Sequence, residues 1–175
     1  MFDSKSRYAL MAVFGLSSLV CLFYDQLQLG LLAILLACFV LWSHFKHGSV
    51  LMASKHFKNS DFLKARKFLA ETKNPERLAK SRRGYYEFMQ GNMALRDEDY
   101  KQAEFHFQIA SRFPIGGKNE KSYVLIHLAN LALRKRDTVR AGAYVEKAKG
   151  LAISARSNEI INKIEKEIKK IEAIA

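Results

Sequence analysis

The sequence predicts an all-α chain: an N-terminal hairpin of two transmembrane helices, then an α-solenoid of three helix-pair repeats, closed by a C-terminal capping helix. Three observations carry this. Two long uncharged runs fill most of the first 45 residues, residues 46–159 fall into three copies of 38, and an isoleucine stripe marks the last helix.

The first element is the hairpin. Tyr8–Tyr24 is an uncharged run of 17 residues and Leu27–Phe45 one of 19, against roughly 17–25 apolar residues for a spanning helix. Asp25 is the one formal charge between Tyr8 and Phe45, and Asp25-Gln26 leaves room only for a tight turn. Residues 1–45 therefore read as a membrane anchor with spans at 8–24 and 27–45. A secretory signal peptide is disfavoured, because no clear cleavage site follows the first run and a second span follows at once. Lys5 and Arg7 precede the first span; Lys46, Lys55 and Lys58 follow the second. Positive flanks stay inside, so both termini are expected in the cytoplasm, with these three lysines at the surface of a cell (inner) membrane. Tyr8, Tyr24 and Trp42 sit near span ends, where amphipathic rings prefer the interface. Gly30, Ala33 and Ala37 share one face, a strip that lets helices approach closely.

Charge separates this anchor from the rest. From Lys46 onward 27 Lys and Arg face 15 Asp and Glu, which is the whole net charge of +12. Between Lys46 and Arg83 the balance is 11 against three acids, Asp61, Glu71 and Glu76. Anionic lipid headgroups are the first expected partner of such a segment. Ribosome or RNA contact comes second: Lys80, Arg82 and Arg83 adjoin Tyr85 and Tyr86, but no RNA-binding module is present.

Reactive chemistry is sparse. Cys21 and Cys38 lie in the apolar runs without metal spacing and read as small hydrophobes. His44 and His47 are three apart but lack a third ligand, so no metal is expected. P-loop, GxSxG and HExxH patterns are absent. His106 and His127 stand alone in helical sequence, and Asp97-Glu98-Asp99 suits a helix junction. No enzyme, cofactor or small-molecule substrate is expected.

The repeat emerges when 46–83, 84–121 and 122–159 are aligned. The eighth column is small: Ala53, Gly91, Ala129. The sixteenth is Asp61, Asp99, Asp137, and the twentieth Ala65, Ala103, Ala141. The seventeenth is Phe62, Tyr100, Thr138, the twenty-fourth Leu69, Phe107, Val145, and the twenty-seventh Thr72, Ala110, Ala148. Small columns let two antiparallel helices pack closely, the bulky column fills the gap to the next repeat, and the aspartate caps the second helix. Asn74-Pro75-Glu76 is expected to start a helix running through Tyr85 and Leu95. Pro114-Ile115-Gly116-Gly117 reads as a looser junction. No linker follows the second span, so Leu27 to Lys58 is expected as one helix, interrupted only by Gly48. In the tail, 157–175, Ile160, Ile161, Ile164, Ile168 and Ile171 form one stripe that Lys163, Glu167 and Lys170 avoid, as a capping helix requires.

These columns resemble the tetratricopeptide repeat, most clearly along Gly91, Asp99-Tyr100, Ala103, Phe107, Ala110 and Pro114. Two departures stand out: a period of 38, and Glu87 and Gln90 where the family starts with Trp and Leu. The resemblance implies a concave groove along the first helix of each repeat. Its matching positions are His47, Tyr85 and Tyr123; Val50, Phe88 and Ile126; Ser54, Asn92 and Asn130; Phe57, Leu95 and Leu133; and Lys58, Arg96 and Arg134. The expected partner site is Tyr85, Phe88, Asn92, Arg96, Tyr123, Ile126, Asn130, Arg134 and Lys58, an apolar floor with amides and a cation rail suited to an acidic or C-terminal peptide. The carboxylate clamp of chaperone-binding repeats is missing, since its positions hold Val50, Ser54, Met89, Tyr123 and His127. The layout is similar to small inner-membrane proteins of this repeat family, which implies a non-catalytic scaffold or adaptor holding a protein at the cytoplasmic face. An accessory or assembly subunit bound through its membrane helices is the alternative, and ribosome or RNA tethering the second.

Overall fold

The computed structural model describes residues 4–24, 26–47, 49–151 and 154–173. Asp25, Gly48 and Ile174 lie outside them, as do the side chains of Lys5, Arg7 and His44. Among the described residues all regular structure is helical, as the sequence predicts. The chain divides between Arg82 and Arg83 into two compact units.

The first unit opens with α1 (Ser4–Phe23) and α2 (Leu27–His47), packed antiparallel. Their tight link is held by the Gln26 N–H on the Cys21 carbonyl, at 2.9 Å. The seam is made of small residues. Ser18, Gly30 and Ala33 are buried, and a Cβ at Gly30 would stand 3.6 Å from that of Cys21. The Ser17 hydroxyl donates to the Phe14 carbonyl at 3.0 Å, so it stays satisfied in an apolar setting. The remaining faces are apolar and open. Of the 20 exposed large hydrophobic side chains among the described residues, 17 lie from Tyr8 to Trp42; the others are Leu63, Phe105 and Val139. Among the described residues no helix is long and apolar enough to cross a membrane.

The continuous helix expected from Leu27 to Lys58 is not formed. α2 stops at His47, and α3 (Val50–Lys58) starts afresh. The Lys46 carbonyl, which an unbroken helix would offer to Val50, accepts instead from the Ala79 N–H at 2.9 Å. Buried Ser49 donates its hydroxyl to the Glu71 carboxylate at 2.5 Å. These two bonds engage groups at the α2–α3 junction with partners from the end of α4 and the segment after it. α3 packs against α4 (Phe62–Ala70) around Val50, Ala53, Ala65 and Leu69, all 0–1% exposed. The helix start expected at Asn74-Pro75-Glu76 is also corrected. Those residues make one 3₁₀ turn, Pro75–Arg77, and the Asn74 side chain caps nothing. Leu78 then turns extended (ψ 150), which buries its side chain, and α5 begins only at Lys80.

The second unit begins within the first turn of α5 (Lys80–Arg96) and holds the rest of that helix with α6 (Tyr100–Arg112), α7 (Lys118–Arg134), α8 (Thr138–Lys149) and α9 (Ala155–Glu172). Across the chain, first helices end at Lys58, Arg96 and Arg134, and second helices begin at Phe62, Tyr100 and Thr138. Both sets recur every 38 residues, the period read from sequence. The corner between them is chemically the same each time. Ser60, Glu98 and Arg136 adopt left-handed backbone, with φ 59, 59 and 57. Their N–H groups return to Phe57, Leu95 and Leu133, and those of Asp61, Asp99 and Asp137 to His56, Ala94 and Ala132, at 2.8–3.2 Å. This is the Schellman ending, which satisfies carbonyls a helix end would otherwise orphan. The aspartate that closes one helix then caps the next, accepting from Lys64, Gln102 and Arg140.

Column chemistry explains the packing. Ala53, Ala129, Ala65, Ala103 and Ala141 are all fully buried. At Gly91 a Cβ would meet the Phe107 ring at 2.8 Å, so only glycine admits that ring. Phe107 centres a cluster with Ala103, Ala110, Ile115, Val124, Leu128 and Leu131. On its other side α7 gives Leu125, Ile126 and Ala129 to a second cluster with Val145, Ala148, Ile161 and Ile164. α9 thus packs on α7 and α8 as a further first helix would. Lys163, Glu167 and Lys170 stay exposed, as expected of a cap. The Pro114–Gly117 junction buries Ile115 and turns at Gly116 (φ 39), where the Gly117 N–H donates to the Glu120 carboxylate at 2.9 Å.

An L-residue pays for left-handed backbone, about 1–2 kcal/mol, while glycine loosens the unfolded chain by about 0.4–1 kcal/mol. Arg136→Gly should therefore stabilise the chain by about 0.5–1 kcal/mol relative to Arg136→Ala. Urea midpoints in detergent measure this; a lower midpoint for glycine contradicts the corner geometry.

Candidate functional site

The expected partner face is built on α5 and α7. Tyr85 is half-buried, with its hydroxyl 3.5 Å from the Glu120 carboxylate on α7. Phe88 leans into the first cluster, its ring centroid 6.2 Å from Phe107 and 6.5 Å from His127. The Asn92 amide donates to the Phe88 carbonyl at 2.8 Å, one turn back on its own helix. Tyr123 is half-buried and its hydroxyl is engaged by Ser157 and Ser154 at the start of α9. Those hydrogen bonds, Ser157 first, draw the phenol below its ordinary pKa. Ile126 is 3% exposed and belongs to the core it shares with Ile161 and Ile164. Leu95 and Leu133 are half-buried against the first and second clusters.

What remains at the surface is polar. Asn130, Arg96 and Arg134 are exposed. In the first unit, Lys46, Lys55 and Lys58 are exposed too, Lys58 as the last residue of α3. Arg134 is also ordered from within: its guanidinium carbon sits 3.6 Å from the Tyr100 ring centroid. A cation over an aromatic face is worth roughly 0.5–1 kcal/mol at an exposed site. Arg134, which the sequence attributes to peptide binding, thus has a folding contribution: it joins the end of α7 to the start of α6.

The sequence reading missed three polar groups. Glu87 is 1% exposed on α5, and pairs with Arg83 at 2.8 Å and His106 at 2.6 Å. His106, isolated in sequence, is thus half of an α5–α6 pair 19 residues apart. The available signal was the fourth repeat column, Ser49, Glu87, Leu125, polar in two copies of three. Glu104, nearly buried, accepts from Lys135 and from Arg140 at 3.1 Å, tying α6 to the following corner. The Lys135 hydrogen bond, despite burial, holds its carboxyl below the usual range. Lys121 donates to the carbonyls of Ser111 and of Phe113 (2.9 Å) and so closes the end of α6, while burial lowers its own pKa. Of these only Glu87 and Arg83 form a buried pair, the kind whose breaking strands a charge at about 3–5 kcal/mol. Among the described residues no group of three or more His, Cys, Asp and Glu is arranged to hold a metal ion.

His127 is packed rather than solvated. It stacks on Phe107 at 4.7 Å between centroids, the planes 7° apart. Burial lowers its pKa from 6.5 to about 4. The unfolded chain therefore binds the proton more readily, and stability present above pH 6.5 is lost as pH falls toward 4. Between pH 7.5 and 4.5 this amounts to about 2–3 kcal/mol. His127→Phe should keep the stack and remove that part of the profile. Unfolding midpoints at the two pH values, compared between wild type and variant, check it; parallel losses would refute it.

Comparison of the chain with family models, with curated proteins and with solved structures finds no match.

Proposed function

We propose that the chain is a membrane-anchored, non-catalytic adaptor. Its α1–α2 hairpin inserts in a bilayer with both ends on the cytoplasmic side, and its tetratricopeptide-like repeats hold a protein partner there. One observation carries the anchor: among the described residues 17 of the 20 exposed large hydrophobics belong to the hairpin, and those it buries are the small residues of its seam. Water would leave that surface unpaid for, whereas a bilayer solvates it. The uncharged runs of the hairpin, 17 and 19 residues, fall at the short end of the roughly 17–25 residues of a spanning helix.

The repeats support the adaptor part. Asn130 and Arg134 share the exposed side of α7, and Arg96 ends α5 one repeat earlier. Tyr100 takes the face of the Arg134 guanidinium, and the N–H donors lie in its plane, where a carboxylate binds. An acidic or C-terminal peptide segment is the partner class this chemistry fits.

Two measurements follow. The full chain should stay with membranes through an alkaline carbonate wash, and a reporter active only outside the cytoplasm should remain silent when fused after Ala175. Release by carbonate, or an active reporter, sinks the anchor or its orientation. Asn130→Ala with Arg134→Ala should lower stability by only about 1 kcal/mol, mostly the lost cation–π contact, yet weaken partner capture from detergent extracts at least tenfold. Undiminished capture, with loss on replacing the hairpin by an unrelated one, would move recognition to the membrane helices.

A further inference from the structure

The segment from Lys46 to Arg82 is a closed loop. It leaves the end of α2, runs out along α3 and back along α4, and is sewn to its starting point by the Ala79 N–H on the Lys46 carbonyl at 2.9 Å. Ser49 and Glu71 add a second stitch at 2.5 Å. Each helix has nine residues, so the loop reaches only about 14 Å from the hairpin base even if it stands upright. That is under two Debye lengths at physiological salt, about 8 Å each.

The loop holds ten Lys and Arg but three acids. Two of the acids are already engaged by groups of the loop itself. Asp61 caps α4 and pairs with Lys64 at 3.0 Å and His56 at 3.5 Å. Glu71 is held by Ser49. Lys46, Lys55, Lys58, Lys67, Lys73 and Lys80 are exposed. The stitches thus confine an excess of cations to one place, the foot of the hairpin.

From this we infer that the α3–α4 loop is a docking surface for anionic phospholipid headgroups of the same bilayer that holds the hairpin, so that lipid charge sets how closely the loop lies on the membrane. The inference rests on the anchoring proposed above. Lipid is preferred to nucleic acid because the stitches, not a base-reading element, place the cations, and a surface charge is what the tether presents to them.

The test uses the full chain reconstituted into vesicles of phosphatidylcholine alone, or with 30% phosphatidylglycerol. Brief acetylation followed by mass spectrometry reads each lysine. Lys55, Lys58, Lys67 and Lys73 should react at least threefold more slowly in the anionic vesicles, and high salt should abolish the difference. Lys163 and Lys166, exposed on α9, serve as internal references. Equal loop reactivity in both lipids overturns the inference while leaving the anchor intact. Protection by added RNA but not by the anionic lipid overturns it in favour of a nucleic-acid face. Failure of the chain to float with either vesicle sinks the anchor, and this inference with it.

Discussion

The corner between the two helices of each repeat is the constraint on which the array depends. One residue in left-handed backbone reverses the chain, and the next residue both ends one helix and begins another. Because Ser60, Glu98 and Arg136 do this with the same φ and the same pair of backbone hydrogen bonds, the helices on either side end and begin in the same register. None is glycine, so each corner stores backbone strain that the flanking hydrogen bonds and the aspartate caps offset.

Given that corner, close packing decides the rest. Small residues at fixed offsets bring helix backbones together, and Phe107 occupies a space that exists only because position 91 has no Cβ. The repeats then differ in how they fill equivalent places. Leu125 occupies in the third copy the column where Glu87 sits in the second and Ser49 in the first. In the second, a buried carboxylate is affordable because Arg83 and His106 both reach it. In the first, the polar residue is spent on joining α3 to the far end of α4. The same repeat logic therefore produces an apolar core in the third copy and a bonded polar seam in the first.

The hairpin obeys the opposite rule. Its small residues face inward and its large apolar ones outward, the reverse of a water-soluble helix pair. Next to it lies the most basic part of the chain, drawn back to the hairpin's foot by a backbone bond to Lys46. Apolar surface and positive charge are thus neighbours in space as well as in sequence, within the first unit.

Periodic properties were legible in the sequence. The helical class, the 38-residue period, the aspartate caps, the buried small columns and the capping stripe of α9 all rest on local spacing, which one-dimensional patterns record faithfully. Non-local pairings were decided only by the tertiary structure. A helix from Leu27 to Lys58 is sound locally, but the Lys46 carbonyl found Ala79, 33 residues away in sequence. Tyr123 and Ile126 occupy groove columns, but α9 packs beside them and takes the phenol and the isoleucine into its own contacts. Arg134 recurs in register, and only folding lays it on Tyr100. In each case the deciding partner lies tens of residues off, where burial and hydrogen-bond satisfaction, not propensity, select the conformation.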